Sequence, residues 1–389
     1  MISFVKGIFH DQSIRISKML VDLDPSTLNK DIDPAFLQKT IDLFNELRGE
    51  IQQLIDSGDL EIESLSTNNI IKYNTFHERL LSIELFRYLV IINYGPAEGY
   101  FKKKITRIYS EIDCFFQKPP LITTISNSEN YYWALPSYDI IAVPTGEQKN
   151  LLNLPDLYHE MGHLFYNQYS TFFKGNIERS LTQYYQDENQ RVLDEQRDPK
   201  LISFYREKLN RWKNGWIMEF SCDLIATYLV GPAYAWTNLK LTTLSSGKDR
   251  IYIDSPSHPS DESRMKAIFH MLDQMGHGSE ASVIQKSWNK FLAATNNPVP
   301  QNYQFIFPQA FIEELTTNVL KACQAIGLRS YADQVTKFGT PISKILNDAW
   351  EELFNNPSNF EKWEAEKIVE IRNNGEPDKV AAVAVPSSP

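Results

Sequence analysis

"NLPDLYHEMGHLFYNQY", from Asn153 to Tyr169, holds two of the chain's seven histidines, four residues apart, with a glutamate directly after the first. On a helix, residues four apart lie on one face, so His159 and His163 can offer two imidazole nitrogens to one ion. Glu160 lies next to the first of them and can reach a water on that ion. Zinc lowers the pKa of such a water, and a carboxylate can take its proton. The spacing H-E-x-x-H therefore predicts a zinc site with Glu160 as general base.

The residues around this motif predict a buried helix. Asn153 can cap it, Pro155 suits its first turn, and Asp156 favours the positive end of the helix dipole. The flanking positions are apolar, with Leu157, Tyr158 and Leu164 next to the histidines. The alternative is a surface helix that carries its histidines incidentally.

A hydrolytic zinc site uses three protein ligands and keeps one position open. The metzincin pattern would continue with glycine at position 166 and histidine at position 169. The chain has Tyr166 and Tyr169 there, which excludes that subclass. The third ligand therefore has to come from elsewhere in the chain.

A second predicted helix supplies it in the segment WIMEFSCDLIATY, from Trp216 to Tyr228. Glu219 and Asp223 lie four residues apart on one face of this helix. Glu219 can complete the coordination, and Asp223 can accept the outer N–H of His159, which fixes the tautomer of that ring. An exposed acidic pair is the alternative, but the neighbouring residues are apolar, and buried carboxylates need partners. Asp223 as third ligand in place of Glu219 is a further alternative.

A third element is DSPSHPSDESRMKAI, residues 254–268. His258 in a loop opposite the zinc could donate a hydrogen bond to the oxyanion of a tetrahedral intermediate. Arg264 could pair with a carboxylate of the site or fix the loop. The alternative is an ordinary helix entry with Ser260 or Asp261 as its cap.

The fold class predicted is mainly α (α+β), with a small antiparallel sheet beside the H-E-x-x-H helix. Apolar residues recur at helical spacing in 34–57 and in 76–92. Short β-branched and aromatic segments between Leu121 and Pro144 predict two or three strands, with a hairpin turn around Pro136.

Four regions follow from these patterns. An N-terminal helical region spans 1–118, and a zinc-binding core spans 119–275. The core includes a charged helical insertion at about 172–212, read as a solvated face or a lid. A C-terminal helical region spans 276–373, and residues 374–389 form a tail predicted to be disordered.

Composition limits the class of protein. The chain has 389 residues and a net charge of −10, which disfavours nucleic-acid binding because that needs a basic face. The least polar stretch, Leu224 to Trp236, is too short for a membrane span and predicts a buried core helix. The three cysteines are widely spaced, which favours free thiols and a cytoplasmic location.

Together, HEMGH, the later EFSCD and the later HPSDESR resemble the gluzincin metallopeptidases. The order H-E-x-x-H … E-x-x-x-D matches that clan. HPSDESR is similar to the H-P-x-x-x-x-R box of the family that contains CAAX prenyl endopeptidases and their soluble bacterial relatives. The resemblance covers roughly residues 121–270. The prenyl proteases are membrane-embedded, whereas this chain has no predicted span.

The resemblance implies a gluzincin-like zincin core and assigns roles by position. His159, His163 and Glu219 would be the zinc ligands, Glu160 the general base, and His258 and Arg264 the residues of the later box. It also implies that the strand region from Tyr131 to Val143 receives the substrate backbone by β-augmentation. The helical flanks and the charged insertion lie outside the resemblance.

The function expected is that of a zinc-dependent endopeptidase, a metalloprotease with one Zn²⁺ per chain and a protein or peptide substrate. The oligomeric state stays open. The first alternative is a zinc-bound interaction or sensing module without catalysis. An intact Glu160 argues against it, because nothing structural needs that carboxylate. The second alternative is a helical scaffold without metal.

Overall fold

The computed structural model describes residues 2–30, 32–62, 65–114, 119–126, 131–144, 147, 150–244, 251–295, 297–337 and 339–373. It is mostly helical with one small sheet, which confirms the predicted mainly-α class. The chain divides into two compact units. The first comprises Met1–Phe101 and Leu121–Ile125, and the second comprises Lys102–Pro120 and Ser126–Pro389.

Helices build most of the first unit. They are α1 (Ile2–Asp22), α2 (Pro34–Asp56), α3 (Ser66–Ile83), α4 (Leu89–Ile92) and the start of α5 (Pro96–Glu111), with a π-helical turn, Glu84–Tyr88, between α3 and α4. The side chain of Asp33 caps α2 by accepting a hydrogen bond from the backbone N–H of Ala35, and Pro34 occupies the first turn. The helix predicted at 34–57 is confirmed, and the segment 76–92 is helical throughout, although its helix begins at Ser66 and the segment contains the π-helical turn.

The sheet has three strands, β1 (Leu121–Ser126), β2 (Trp133–Leu135) and β3 (Ile140–Pro144), in the order β1-β3-β2. The predicted turn at Pro136 is a 3₁₀ turn that ends at Asp139 with φ 55°. The antiparallel register of the β2–β3 hairpin pairs Trp133 with Ala142, Ala134 with Ile141 and Leu135 with Ile140.

The prediction of an antiparallel sheet is wrong as a description of the whole sheet, because the sheet is mixed. Strand β3 lies between β1 and β2, so the chain passes from β1 to the edge strand β2 and returns between them. A hairpin turn guarantees antiparallel pairing only for the two strands that it joins. Local patterns reveal strands but not their order.

Helices of the second unit carry the predicted site. They are α6 (Pro155–Lys174), α7 (Ile177–Asp194), α8 (Lys200–Arg211), α9 (Ile217–Val230), α10 (Pro232–Leu244) and α11 (Asp261–Gln274). A π-helical turn, Trp212–Trp216, joins α8 to α9. The prediction that Asn153 caps α6 is wrong. The capping position is Leu154, and the Asn153 side chain instead accepts a hydrogen bond from Lys240 at 2.6 Å.

Helix α9 runs through the core of the second unit. Almost every residue of it is buried, including Glu219 and Asp223. It packs most extensively against α6, and also contacts α10 and α11. The apolar stretch from Leu224 to Trp236 is therefore a core element, as predicted.

The C-terminal part adds α12 (Gly278–Thr295), α13 (Tyr303–Ile306), α14 (Gln309–Ala325), α15 (Ile342–Asn355) and α16 (Phe360–Asn373). This part closes the end of α9, whose last carbonyls have no partner within the helix. The carbonyls of Tyr228, Leu229 and Val230 accept hydrogen bonds from Tyr331 N, Gln334 Nε2 and Asn347 Nδ2, at 3.0, 2.7 and 2.7 Å.

Two other sequence predictions concern the C-terminal tail and membrane-spanning helices. The tail 374–389, predicted to be disordered, lies outside the described residues. Within the described residues, every helix is too short or too polar to cross a membrane.

Candidate metal centre

The two histidines of α6 lie on one face of the helix, as their spacing predicts. Ligand atoms of His159, Glu160 and His163 all lie within 4.8 Å of one another. His159 and Glu160 are buried, whereas the His163 side chain keeps 14% of its surface exposed. Solvent therefore reaches this side of the helix at His163, one turn away from the buried imidazole of His159.

Glu219 of α9 faces both imidazoles. Its Oε2 lies 3.5 Å from His159 Nε2, and its Oε1 lies 3.8 Å from His163 Nε2. In a tetrahedral zinc site with bonds of about 2.0–2.1 Å, two ligand atoms lie about 3.4 Å apart. Glu219 Oε2 is buried and makes no hydrogen bond of normal geometry. A cation among these three side chains would satisfy that oxygen.

Gly162, inside the H-E-x-x-H motif, allows this meeting of α6 and α9. A Cβ built on Gly162 would lie 2.9 Å from the Cα of Cys222, closer than real Cβ atoms approach. The two backbones can touch here only because position 162 has no side chain. Cys222 itself is fully buried, as predicted for a core residue. The contact sets the position of Glu219 and Asp223 relative to the histidines.

Asp223 lies on the far side of the His159 ring from Glu219. Its Oδ1 is 2.9 Å from His159 Nδ1, and Arg264 of α11 donates to both of its oxygens at 2.7 Å. Asp223 is fully buried, and burial alone would raise the pKa of its carboxyl. The Arg264 charge outweighs that effect and holds the pKa well below its usual range. Both oxygens of Asp223 have close partners at 2.6–2.9 Å, whereas Oε2 of Glu219 has only imidazole nitrogens at 3.5 Å, so Glu219 is the better candidate for a metal ligand.

Tyr234 of α10 belongs to the same cluster, and sequence reasoning missed it. Its hydroxyl donates to Asp223 Oδ1 at 2.6 Å and lies 3.1 Å from His159 Nδ1. Its sequence context, Gly-Pro-Ala-Tyr-Ala-Trp, carries no chemical motif. Only the path of the chain after α9 brings this residue to the site.

His258 also reaches the cluster, although it enters from a loop. Its Nε2 lies 3.5 Å from Glu219 Oε2, and its side chain is 55% exposed. Ser257 Oγ is 2.9 Å from His258 Nδ1, and Ser255 Oγ accepts from the backbone N–H of His258 at 2.9 Å. Ser260 caps α11, so the helix-entry reading and the site reading are both compatible with the structure.

The charged insertion holds the loop that carries His258. Lys208 of α8 donates to Asp254 at 2.9 Å, and Arg211 forms a second ion pair with the same carboxylate. Trp216 Nε1 donates to the backbone carbonyl of Ser255 at 3.0 Å. The loop is thus fastened to α8 and to the π-helical turn, and the insertion is more than a solvated face.

Burial and the neighbouring charges shift the pKa values of the acids and imidazoles in this cluster. Burial raises the pKa of the Glu160 carboxyl to about 8, and it raises the pKa of Asp156 to about 6. Burial and the neighbouring His159 ring lower the pKa of His163 to about 4, so its imidazole is neutral at neutral pH. For Glu219, burial opposes ionisation, but the hydrogen bond and charge of His159 prevail and lower its pKa to about 2. Burial lowers the pKa of His159, but the hydrogen bonds to Asp223 and Glu219 outweigh it and raise that pKa well above its usual value. Because zinc binds neutral imidazole and carboxylate, zinc binding would release the proton from Nε2 of His159.

The structure thus brings all seven residues singled out in the sequence into one region of the second unit: His159, Glu160, His163, Glu219, Asp223, His258 and Arg264. Their assignment as ligands, base and supporting residues stays a prediction. No protein-family model, curated protein or solved structure matches this chain significantly.

Replacing Gly162 with alanine should force α6 and α9 apart, because the new methyl would meet Cys222 at 2.9 Å. We expect the free energy of unfolding to fall by about 1–3 kcal/mol in urea denaturation, and zinc binding to weaken. Gly49→Ala is the matched control, since a Cβ at this mid-helix glycine meets nothing within 4 Å. That control should gain about 0.5–1 kcal/mol. Equal responses of the two variants would refute the role of the close contact.

Proposed function

We propose that the chain is a zinc metallopeptidase of the gluzincin type, an endopeptidase that hydrolyses peptide bonds of a protein or peptide substrate. His159, His163 and Glu219 would hold one Zn²⁺ per chain. The observation that carries this proposal is the position of the Glu219 carboxylate, 3.5 and 3.8 Å from the two Nε2 atoms, with a buried oxygen that lacks a hydrogen bond. These three donors match the His₂Glu set of catalytic zinc sites.

Zinc in such a site lowers the pKa of a bound water and polarises a substrate carbonyl. Glu160 is the residue of the chain that moves protons in the proposed reaction. Its carboxylate lies within 4.8 Å of both imidazoles, close enough to take a proton from that water. It can then deliver the proton to the leaving amine. The carboxyl must be ionised to accept that proton; burial raises its pKa, and a divalent cation at the centre would lower it again.

His258 is proposed to donate a hydrogen bond to the oxygen of the attacked carbonyl. Three features support this role: the ring is half-exposed, it faces Glu219, and Ser257 contacts its Nδ1. A donor prearranged at the oxyanion stabilises the transition state more than the ground state. The loop is fastened through Asp254, so the ring need not be ordered again in each reaction cycle.

An extended peptide is the proposed partner. Strand β2 lies at one edge of the sheet, contacts α6, and has half-buried residues throughout. Its edge offers backbone groups with which a substrate strand can pair. The acidic net charge of −10 supports a partner other than nucleic acid. All three cysteines are buried thiols, which supports the proposed cytoplasmic location.

A second candidate is a zinc-bound interaction or sensing module without catalysis. One distance favours it: His258 Nε2 is 3.5 Å from Glu219 Oε2, the same as His159 Nε2. If His258 were a fourth ligand, the coordination would be closed, as in structural zinc sites. The zinc would then have no open position for the attacking water.

Protein purified without chelators or metal-affinity tags should contain about one zinc per chain, because three donors converge at the centre. His163→Ala should lose it, as measured by inductively coupled plasma mass spectrometry. His270→Ala is the control, since that imidazole pairs with Glu313 away from the site and should leave the zinc content unchanged. A folded wild-type chain that refuses added zinc would overturn the proposal.

Glu160→Gln should keep the zinc and lose about 10²–10⁴-fold in peptidase rate, because the amide cannot accept the proton. The assay incubates a peptide library with the protein and detects new N-termini by mass spectrometry. The zinc content of the same sample shows that the centre is intact. Cleavage at the wild-type rate by this variant would eliminate Glu160 as the base.

His258→Ala separates the two candidates. As an oxyanion donor, its loss should lower the rate by about 10²–10³-fold and leave zinc affinity unchanged in a competition titration with a chromogenic chelator. A drop in zinc affinity of about 10-fold or more, together with no cleavage by the wild type, would favour the closed centre and the non-catalytic module.

A further inference from the structure

Tyr234 occupies a position between two partners of the proposed metal centre. The residue is almost completely buried, and its hydroxyl contacts Asp223 Oδ1 at 2.6 Å and His159 Nδ1 at 3.1 Å. Its ring lies nearly parallel to the His159 ring, with an interplanar angle of 11° and centroids 6.3 Å apart. The hydroxyl therefore contacts Nδ1 of the imidazole, whereas Glu219 contacts Nε2.

These contacts fix which nitrogen of His159 carries the proton. Asp223 accepts hydrogen bonds and cannot donate while ionised, and its ion pair with Arg264 keeps it ionised. The Tyr234 hydroxyl therefore donates its hydrogen bond to Asp223, and its oxygen can only accept one from His159. Two acceptors, Asp223 Oδ1 and Tyr234 Oη, then face Nδ1 of His159. Both favour the tautomer with hydrogen on Nδ1, which leaves the lone pair of Nε2 directed at Glu219 and the proposed zinc.

The C-terminal part of the chain delivers Tyr234 to this place. Helix α9 ends at Val230, Gly231 caps it with a φ of 72°, and α10 begins at Pro232. Asn347 of α15 closes the corner from both sides. It donates to the carbonyl of Val230 at 2.7 Å and accepts from the backbone N–H of Ala233 at 2.9 Å.

A side chain at position 231 would also collide with the ring of Tyr331, at 2.5 Å from the added Cβ. The corner between α9 and α10 is thus fixed by backbone conformation, by hydrogen bonds and by packing together. Tyr234 follows three residues after Gly231, so this corner also fixes its position. A residue placed this firmly can hold a ring that must present one nitrogen to a metal.

We propose that Tyr234 is a positioning residue that holds His159 in the tautomer and the ring orientation required for zinc binding. The inference rests on the proposed function, because it assigns Tyr234 a role toward the zinc of that same site. Asp223 offers one acceptor to Nδ1. Tyr234 adds a second acceptor and a nearly parallel aromatic ring beside the imidazole.

The test compares Tyr234→Phe with Tyr228→Phe in the full-length protein. Both variants remove one buried hydroxyl and keep the aromatic ring. Tyr228 donates to the backbone carbonyl of Leu328 at 2.9 Å, so its loss does not alter the partners of His159. Zinc affinity is measured by competition with a chromogenic chelator, and the visible absorption of the cobalt-substituted protein reports the ligand field. Thermal unfolding of each metal-free variant reports the structural cost.

We expect Tyr234→Phe to bind zinc about 10-fold more weakly than wild type and to alter the cobalt bands. Tyr228→Phe should change neither, although both should lower the unfolding temperature to a similar extent. Equal zinc affinities and equal cobalt spectra in the two variants would overturn the inference while the zinc centre stands. A wild-type chain that binds no zinc would instead remove the proposed function, and this inference with it.

Discussion

The close approach of α6 and α9 at Gly162 is the contact on which the rest of the centre depends. Cys222 packs directly against a residue that has no side chain, and this contact restricts the register in which the two helices can lie. In that register Glu219, one turn before Cys222, faces both histidines, and Asp223 faces the outer nitrogen of His159. The glycine within H-E-x-x-H is therefore as much a part of the geometry as the histidines, although it has no ligand atom.

The centre concentrates negative charge in a buried place, and its arrangement shows how each charge is accommodated. Arg264 neutralises Asp223 with two hydrogen bonds, which makes that carboxylate a fixed acceptor. Glu160 has no such arginine, and burial raises its pKa to about 8. A divalent cation beside it would stabilise the ionised form, as metal ions generally do for nearby acids. The charge distribution thus separates a permanent carboxylate, which orients a histidine, from one suited to exchange protons.

The sequence predicts those parts of the centre that a single helix defines. The spacing of His159, Glu160 and His163, and that of Glu219 and Asp223, follows from helical periodicity alone. The three strands are also local patterns and could be found, but their mixed order requires knowledge of which strand lies in the middle. Tyr234 and the ion pairs of Asp254 depend on tertiary packing between elements distant in sequence, and no local motif marks them.

Two regions without a recognisable motif, the charged insertion and the C-terminal part, hold elements of this centre in place. The charged insertion fixes the loop of His258 through Lys208 and Arg211, and the C-terminal part fixes the α9–α10 corner through Asn347. A helix end inside a protein must have partners for its last carbonyls, since each unsatisfied buried group costs about 1–3 kcal/mol. The C-terminal part supplies those partners to α9, the helix that carries Glu219. The candidate metal centre is therefore a property of the second compact unit as a whole, and the helix that carries Glu219 is capped by Asn347, more than a hundred residues away in sequence.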